Sequence, residues 1–340
     1  MTETEQNRVA RATSNARPME MAFASDARYF PGLILALASV LANTSDLQGA
    51  RIHVLDGGLT ASQRARLEKV ARRNPDVSLL IHRLEMGRLN GVRLLNGSAL
   101  TYARLLLPDL LPGADEIMYL DVDVLYENDL LRLWQTSFAG HSVLAVQDAF
   151  VKLQANDNPW LDAKAPEAQA PYFNAGVLKI DLAAWRREGT AASALELAQT
   201  EPEKCRFWDQ TPLNNLLRGK CQWLAPDFNY QLVTGSPEAD APEYLRKNMH
   251  YVGQFKPWLS YSHLSSFEHW RRRYRDLVGF PDYMFNYRFW SSYALPAWKQ
   301  SIRSSPLFPP LCRFMLATGL HTVIPGVNRR TLELGAKSDG

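Results

Sequence analysis

The stretch "EIMYLDVDVL", Glu116 to Leu125, decides how the rest of the chain is read. An apolar run of strand length passes directly into Asp121 and Asp123, two carboxylates separated by a single valine. Like charges this close repel unless a cation or a shared proton compensates them. A hard divalent ion with oxygen ligands is the simplest compensation. Side chains at i and i+2 of a regular strand share a face, so both reach one ion only where the strand ends and the backbone bends. The sequence "DVDVLYEND" permits that bend after Asp121.

Upstream of this stretch, strand and helix patterns alternate. "MEMAFAS" (Met19–Ser25) reads as a strand, and "DARYFPG" turns into the helix "LILALASVLAN". "RIHVLDG" is a second strand bounded by Gly57-Gly58, and "TASQRARLEKVARRN" is a helix with Thr60 or Ser62 as its cap. "SLLIHRL" is a third strand, and "SALTYARLLLPDLL" reads as a buried helix closed by Pro112-Gly113. Such alternation predicts an α/β fold with a parallel sheet, whose ligands bind outside the carboxyl ends of the strands. Asp26, Asp56 and the Asp121/Asp123 pair all fall at strand ends, although Asp26 and Asp56 taken singly also fit turn and capping roles.

Downstream, "SVLAVQD" is a strand ending on Asp148, followed by a Pro/Asn/Ala-rich loop from Asn156 to Pro171. "YFNAGVLKIDLAAWRR" is a strand running into a helix, and Ala191–Thr200 is helical. "WDQTPLNNLLRG" starts a helix with Asp209 near its N-terminus, and "CQWLA" is a further strand.

A distant third ligand would strengthen the metal reading, and "MHYVGQFKPW" (Met249–Trp258) supplies one in His250, an imidazole suited to manganese. Gly253 lets backbone approach a phosphate, Lys256 meets diphosphate charge, and Pro257-Trp258 stiffens the loop. A competing reading of Asp-x-Asp after a strand is the phosphatase motif in which the first aspartate attacks phosphorus. Here the motif follows three strand–helix units, and no downstream paired-aspartate motif accompanies it.

Composition bounds the remaining choices. The chain has 340 residues, 46% apolar and 21% charged, as a globular protein does. Cys205, Cys221 and Cys312 make neither a disulfide framework nor a metal-ligand spacing. Residues 1–18 lack an apolar core and read as a disordered leader rather than a secretory signal. No run approaches the roughly 20 apolar residues of a membrane-spanning helix, so a cytoplasmic protein is expected. From Phe267 onward, 11 Lys/Arg against 5 Asp/Glu give +6, which leaves −3 on the preceding residues. Arg271, Arg272, Arg273 and Arg275 interleave with Trp270 and Tyr274, a pattern suited to an anionic lipid surface, with a helical cap as the plainer alternative. No nucleic-acid-binding module accompanies these charges, so no nucleic-acid partner is expected.

Six ordered segments resemble glycosyltransferase family 8, the retaining enzymes that include glycogenin and bacterial lipooligosaccharide α-galactosyltransferases. They are "FASDARY" (23–29), "HVLDGGL" (53–59), "TYARLLLPDLLPGADEIMYLDVDVL" (101–125), "YFNAGVLKIDLAAWR" (172–186), "DQTPLNNLL" (209–217) and "HYVGQFKPW" (250–258). The resemblance implies an α/β GT-A fold over residues 19–265, with an appended, mainly helical, basic and aromatic segment over 266–340. It implies that Asp121, Asp123 and His250 hold Mn²⁺, with Mg²⁺ as the alternative, against the diphosphate of UDP-glucose or UDP-galactose.

By the same resemblance Ala24, Asp26 and Tyr29 hold uridine, while Arg28 stands where relatives often carry a small polar residue. Arg104 contacts the donor sugar or diphosphate, as do Gly253 and Lys256 from the later loop. Asp148, Asn174, Asp209 and Gln210 line the donor-sugar pocket, with Gln210, Asp209 and Asp148 as the catalytic set. Gln210 occupies the position below the anomeric carbon, and a neutral amide is a poor nucleophile there. A front-face substitution is therefore expected, with Asp209 as the fallback nucleophile. Thr211 replaces an aspartate that many relatives carry after the Gln. The implied acceptor is a lipopolysaccharide or lipooligosaccharide core or another glycolipid, which would set the enzyme on the inner membrane face. A glycogenin-like self-glucosylating enzyme and a non-catalytic UDP-sugar-binding protein are the other readings.

Overall fold

Among the described residues the main sheet has seven strands, in the order β3-β2-β1-β4-β7-β6-β8. They are β1 (Glu20–Ser25), β2 (Arg51–Asp56), β3 (Ser78–Arg83), β4 (Glu116–Leu120), β6 (Val143–Gln147), β7 (Phe173–Asp181) and β8 (Cys221–Trp223). A smaller sheet joins β5 (Val124–Leu125), β10 (Met249–Val252) and β9 (Tyr230–Val233), in the order β5-β10-β9. The structure is a computed structural model describing residues 17–151, 159–160, 171–233, 247–253, 255–259, 264–281 and 283. The expected leader up to residue 16, most of the loop from 156 to 171, and the tail from 284 onward lie outside the described residues. No helix among the described residues is long and apolar enough to cross a membrane.

Strands β1, β2, β3 and β4 are mutually parallel, as the alternation predicts, but β7 runs antiparallel to both β4 and β6. The sheet is therefore mixed rather than parallel throughout. Strands β1, β4 and β7 are buried on both faces and apolar along most of their length, which is the signature of a sheet covered on both sides. Thr60 is the cap of helix Ala61–Ala71: its side chain accepts from the Gln63 backbone, and Gln63 reaches back to the Thr60 N–H.

The "SALTYARLLLPDLL" helix needs correction. Leu100–Leu106 is a 3₁₀ helix that passes into a single α turn, Leu107–Leu110. In 3₁₀ geometry residues i and i+3 eclipse, which stacks Thr101 directly over Arg104. The Arg104 Nε donates to the Thr101 carbonyl at 3.2 Å, so the tighter winding is tied to the side chain it presents.

A buried polar cluster crosses the β1-β2-β3 side of the sheet. Glu20 accepts from Arg51 and lies 2.7 Å from His53 Nε2, while His53 Nδ1 meets His82 Nε2 at 2.9 Å. Burial alone would raise the Glu20 carboxyl, but its bonds to His53 and Arg51 outweigh this and hold it below its ordinary 4.5. His82 is held below its ordinary 6.5 by burial and by the facing His53. Both shifts act in one direction: the unfolded chain binds more protons, so stability is lost on acidification. Conformational stability should fall below pH 6.5 as His82 is forced to charge, and fall again below pH 4.5 as Glu20 protonates. Urea midpoints measured from pH 7.5 to 4 check this, and Glu20→Gln should start lower and show a shallower second decline.

The chain divides into two compact units, 1–231 with 243–250, and 232–242 with 251–340. In the second, helix Ser265–Leu277 buries Phe267, Trp270 and Tyr274. Trp270 lies 5.4 Å from Trp258 and 5.3 Å from Tyr274, and Tyr283 closes the cluster edge-on at 4.9 Å from Tyr274. Trp270 and Tyr274 are thus core rings and not the lipid-facing rings that their spacing suggested, while Arg272 and Arg275 remain exposed.

Candidate active site

The sheet order reverses beside β1: β2 and β3 extend one way and β4 begins the other, so the crevice at the carboxyl ends of β1 and β4 is the topological switch point. Ala22 pairs with Tyr119, which brings Ala24 level with Asp121 at that edge. Because β7 is antiparallel, its first residues reach the same edge. Leu120 pairs with Val177, and the Asp121 N–H donates to the Gly176 carbonyl at 2.8 Å. Strand β6 ends there as well, delivering Asp148. One antiparallel strand thus gathers Asn174 with Asp121 and Asp148.

After Leu120 the chain turns through Val122 and Asp123 before β5 begins. The turn is held by the Tyr126 hydroxyl, which donates to the Asp121 carbonyl at 2.9 Å. Val124 then pairs with His250 across β5 and β10, and this pairing delivers the imidazole. Donor atoms of Asp121, Asp123 and His250 lie within 4.8 Å of one another, and His250 Nε2 is 3.3 Å from Asp123 Oδ1. Two carboxylates and one imidazole form a mixed O,O,N donor set of the kind that Mn²⁺ or Mg²⁺ accepts. The Asp121 carboxyl is pushed up to about 6, chiefly by burial and further by Asp123, with Arg104 pulling the other way. The donor set fits a divalent cation, which would compensate two carboxylates held this close together.

Arg104 is the local counter-charge. Its guanidinium is buried, with Nη2 3.0 Å from Asp121 Oδ1 and Nε 2.9 Å from Asp209 Oδ2. It also donates to the Ala175 carbonyl and lies 4.1 Å over the Tyr119 ring. Asp209 is only 2% exposed and takes a further bond from the Thr101 hydroxyl. Its carboxylate is thus buried in an ion pair with Arg104 and holds the Thr101 hydroxyl at its other oxygen, a poor arrangement for the fallback nucleophile. Trp208, immediately before it, holds φ +51°, a left-handed conformation that is costly for a bulky residue.

Gln210 opens helix Gln210–Leu216 with its amide bound at both ends. Its Oε1 accepts from Ala175 N at 2.9 Å, and its Nε2 donates to Asp148 Oδ2 at 3.1 Å. Asn174 Nδ2 donates to the same oxygen at 3.0 Å, so buried Asp148 and Asn174 and half-buried Gln210 form one network. Asp26 Oδ1 accepts from Arg28 N and Tyr29 N, which shapes the turn after β1. Asp56 serves a turn in the same way, accepting from Gly58 N and Leu59 N and pairing with Arg64. Gly253 and Lys256 fall in the second unit. Gly253 adopts φ +94°, and Lys256 Nζ donates to the Tyr251 carbonyl at 2.7 Å.

Sequence reasoning passed over Thr101, Gly176 and Asn229. Thr101 lies inside the "TYAR" segment, and Gly176 inside "FNAG", but Asn229 in "PDFNYQL" carries no spacing signal at all. Gly176 is required by close approach. A Cβ there would sit 2.4 Å from His250 Cε1 and 2.7 Å from its Nδ1. Gly176→Ala should cost about 1–3 kcal/mol of stability by overpacking. It should also weaken Mn²⁺ binding roughly 10–100-fold by displacing the ring. Thermal unfolding and calorimetric Mn²⁺ titration measure the two effects separately.

Comparison with known proteins fits this geometry. The sequence model of Glycosyl transferase family 8 matches residues 20–262, so the chain belongs to that family and is a glycosyltransferase. It is 25% identical to General stress protein A of Bacillus subtilis, over 72% of this chain and 91% of that protein. It is 24% identical to the lipopolysaccharide 1,3-galactosyltransferase of Salmonella typhimurium, over 73% of this chain and 75% of that one. Among solved structures it is similar to the galactosyltransferase LgtC in complex with donor and acceptor sugar analogs. That match has a TM-score of 0.64 and 26% identity and covers 80% of this chain and all of LgtC, and the shared architecture is the GT-A fold.

Proposed function

We propose that this protein is a retaining hexosyltransferase that moves glucose or galactose from a UDP-sugar to a saccharide acceptor, with Mn²⁺ as the preferred ion. The observation that carries the reading is the convergence of Asp121, Asp123 and His250 at the switch point of a family 8 fold. Asp121, Asp123 and His250 Nε2 would hold the ion, which when bound supplies Lewis-acid neutralisation of the leaving diphosphate. By the family resemblance Gly253 and Lys256 are further donor-binding residues, suited by backbone freedom and by positive charge to a diphosphate. Ala24, Asp26 and Tyr29 hold the uridine.

In this reading Asp148 and Asn174 line the sugar side of the pocket, Asp148 by holding the Asn174 and Gln210 amides in place. Gln210 faces the anomeric centre. Its carbonyl oxygen stabilises developing positive charge without forming a bond, and the leaving phosphate oxygen takes the acceptor's proton on the same face. The bond from the acceptor oxygen to the anomeric carbon forms as the carbon–phosphate oxygen bond breaks, so configuration is retained. The burial of Asp209 against Arg104 supports this route over a double displacement.

A glycolipid acceptor of the lipopolysaccharide-core type is favoured by the named activity of the Salmonella relative. The exposed Arg272 and Arg275 would then serve electrostatic attraction to an anionic lipid face at the inner membrane surface. The test is a panel of nucleotide sugars incubated with the protein in Mn²⁺ or EDTA, read as UDP release. Mn²⁺-dependent release from one UDP-hexose supports the reading, and calorimetry showing no binding of UDP with Mn²⁺ overturns it. Intact mass after incubation with UDP-glucose separates the self-glucosylating alternative, which alone adds hexose to the chain.

A further inference from the structure

Asn229 occupies the gap between the sugar-side amide network and the metal-side imidazole. Its Nδ2 lies 2.8 Å from Asn174 Oδ1, and its Oδ1 lies 2.9 Å from His250 Nδ1. Asn174 is only 5% exposed, Asn229 1% and His250 5%, so water does not compete for these bonds.

The direction of every bond in this chain is forced from its ends. Asp148 receives N–H groups at both oxygens: Phe150 N and Val151 N at Oδ1, and the Asn174 and Gln210 amides at Oδ2. The Asn174 atom facing it is therefore the amide nitrogen. Gly176 N–H can only donate, and it donates to the other Asn174 atom at 2.9 Å, which is therefore the carbonyl oxygen. An oxygen at that position requires Asn229 to present its nitrogen, which turns the Asn229 oxygen toward His250. A carbonyl oxygen only accepts, so the imidazole must carry hydrogen on Nδ1. In the neutral ring Nε2 is then the bare nitrogen, and Nε2 is the one that faces Asp123 at 3.3 Å.

We infer that Asn229 is a positioning residue that sets the His250 tautomer and ring orientation, through a relay running Asp148–Asn174–Asn229–His250, so that the Nε2 lone pair faces the cation site. The inference rests on the metal reading above for its purpose, although the tautomer itself does not. The relay has a functional corollary. The proposed sugar-binding residues Asp148 and Asn174 and the proposed ligand His250 are mechanically one unit, so a donor that strains Asn174 is felt at the cation site. Partners behind a metal-binding histidine commonly contribute 10–100-fold in affinity.

The test has two arms. Two-bond ¹H–¹⁵N correlation on histidine-labelled, metal-free wild type at pH 8 reports which ring nitrogen is protonated. His250 is assigned by the signal missing in His250→Gln, from the 7 histidines present. Hydrogen on Nδ1 supports the relay, and a bare Nδ1 with hydrogen on Nε2 alone overturns it, whatever the variants do. The second arm is calorimetric titration of MnCl₂ into protein saturated with UDP. Asn229→Leu should bind Mn²⁺ about 10–100-fold more weakly and populate both tautomers. Asn229→Asp, which keeps the acceptor, should retain the Nδ1–H signature. Unchanged affinity in a folded Asn229→Leu overturns the relay. If wild type itself does not bind Mn²⁺, the metal reading fails while the first arm still decides the tautomer.

Discussion

Asp123→Ala is expected to lower Mn²⁺-dependent UDP release by roughly 10³-fold, equivalent to about 4 kcal/mol of barrier. It should leave the fold intact. Asp123 sits in the turn between β4 and β5 with its side chain only 15% exposed, and its oxygen is the one facing His250 Nε2. Its removal leaves two of the three convergent donors. The metal-free protein should melt at the same temperature as wild type or higher, because the charge that helps push up the Asp121 carboxyl is gone. Adding Mn²⁺ and UDP should raise the melting temperature of wild type, as a ligand at about 100 times its Kd adds about 2.7 kcal/mol, and should do little for the variant. Thermal scans with and without ligand, beside an activity assay, give both readings. Unchanged turnover would sink the metal-dependent transferase mechanism.

Arg104→Met should damage folding itself. The guanidinium compensates Asp121 and Asp209 together, and Asp209 is buried beyond the reach of water. Removing one member of a buried ionic cluster typically costs about 3–5 kcal/mol, because the partners left behind are charged and unpaired. Burial already raises the Asp209 carboxyl, and Arg104 is the largest influence restraining it. Arg64 offers the contrast: it pairs with the buried Asp56 at 3.0 Å but is itself 39% exposed. Asp56 also keeps its backbone bonds, so Arg64→Met should cost about 1 kcal/mol or less. Urea unfolding of both variants checks the ranking. The double variant Arg104→Met/Asp209→Asn should recover part of the loss, since it removes one of the stranded charges. If Arg104→Met proved as mild as Arg64→Met, the cluster would not be the structural centre of the site.

The local pattern of the chain determined much of this. The strand–helix alternation from Met19 to Leu125 specified the β1-to-β4 half of the sheet, because each unit buries its apolar face independently of the others. The Thr60–Gln63 box set the start of its helix for the same reason, since capping is a matter of neighbouring residues. The Asp-x-Asp pair stood out because like charges beside a strand demand an explanation in any fold, and His250 followed from its own short motif. Asp148, Asn174 and Gln210, which the family resemblance implies together, share one hydrogen-bonded network.

Tertiary structure decided the rest, since it depends on partners distant in the chain. No local signal distinguishes a parallel β7 from an antiparallel one, yet that direction alone brings Asn174 and Gly176 to the carboxyl edge beside Asp121. The 3₁₀ winding of residues 100–106 accompanies Arg104 contacts to Thr101, Ala175, Asp121 and Asp209, a set spread over more than 100 positions. The rings of Trp270 and Tyr274 matched a membrane surface in composition, and only their packing against Trp258 and Tyr283 shows them to be core. Asn229 was silent in the sequence because an asparagine's role lies in what its two amide atoms face, and those partners are His250 and Asn174, 21 and 55 residues away.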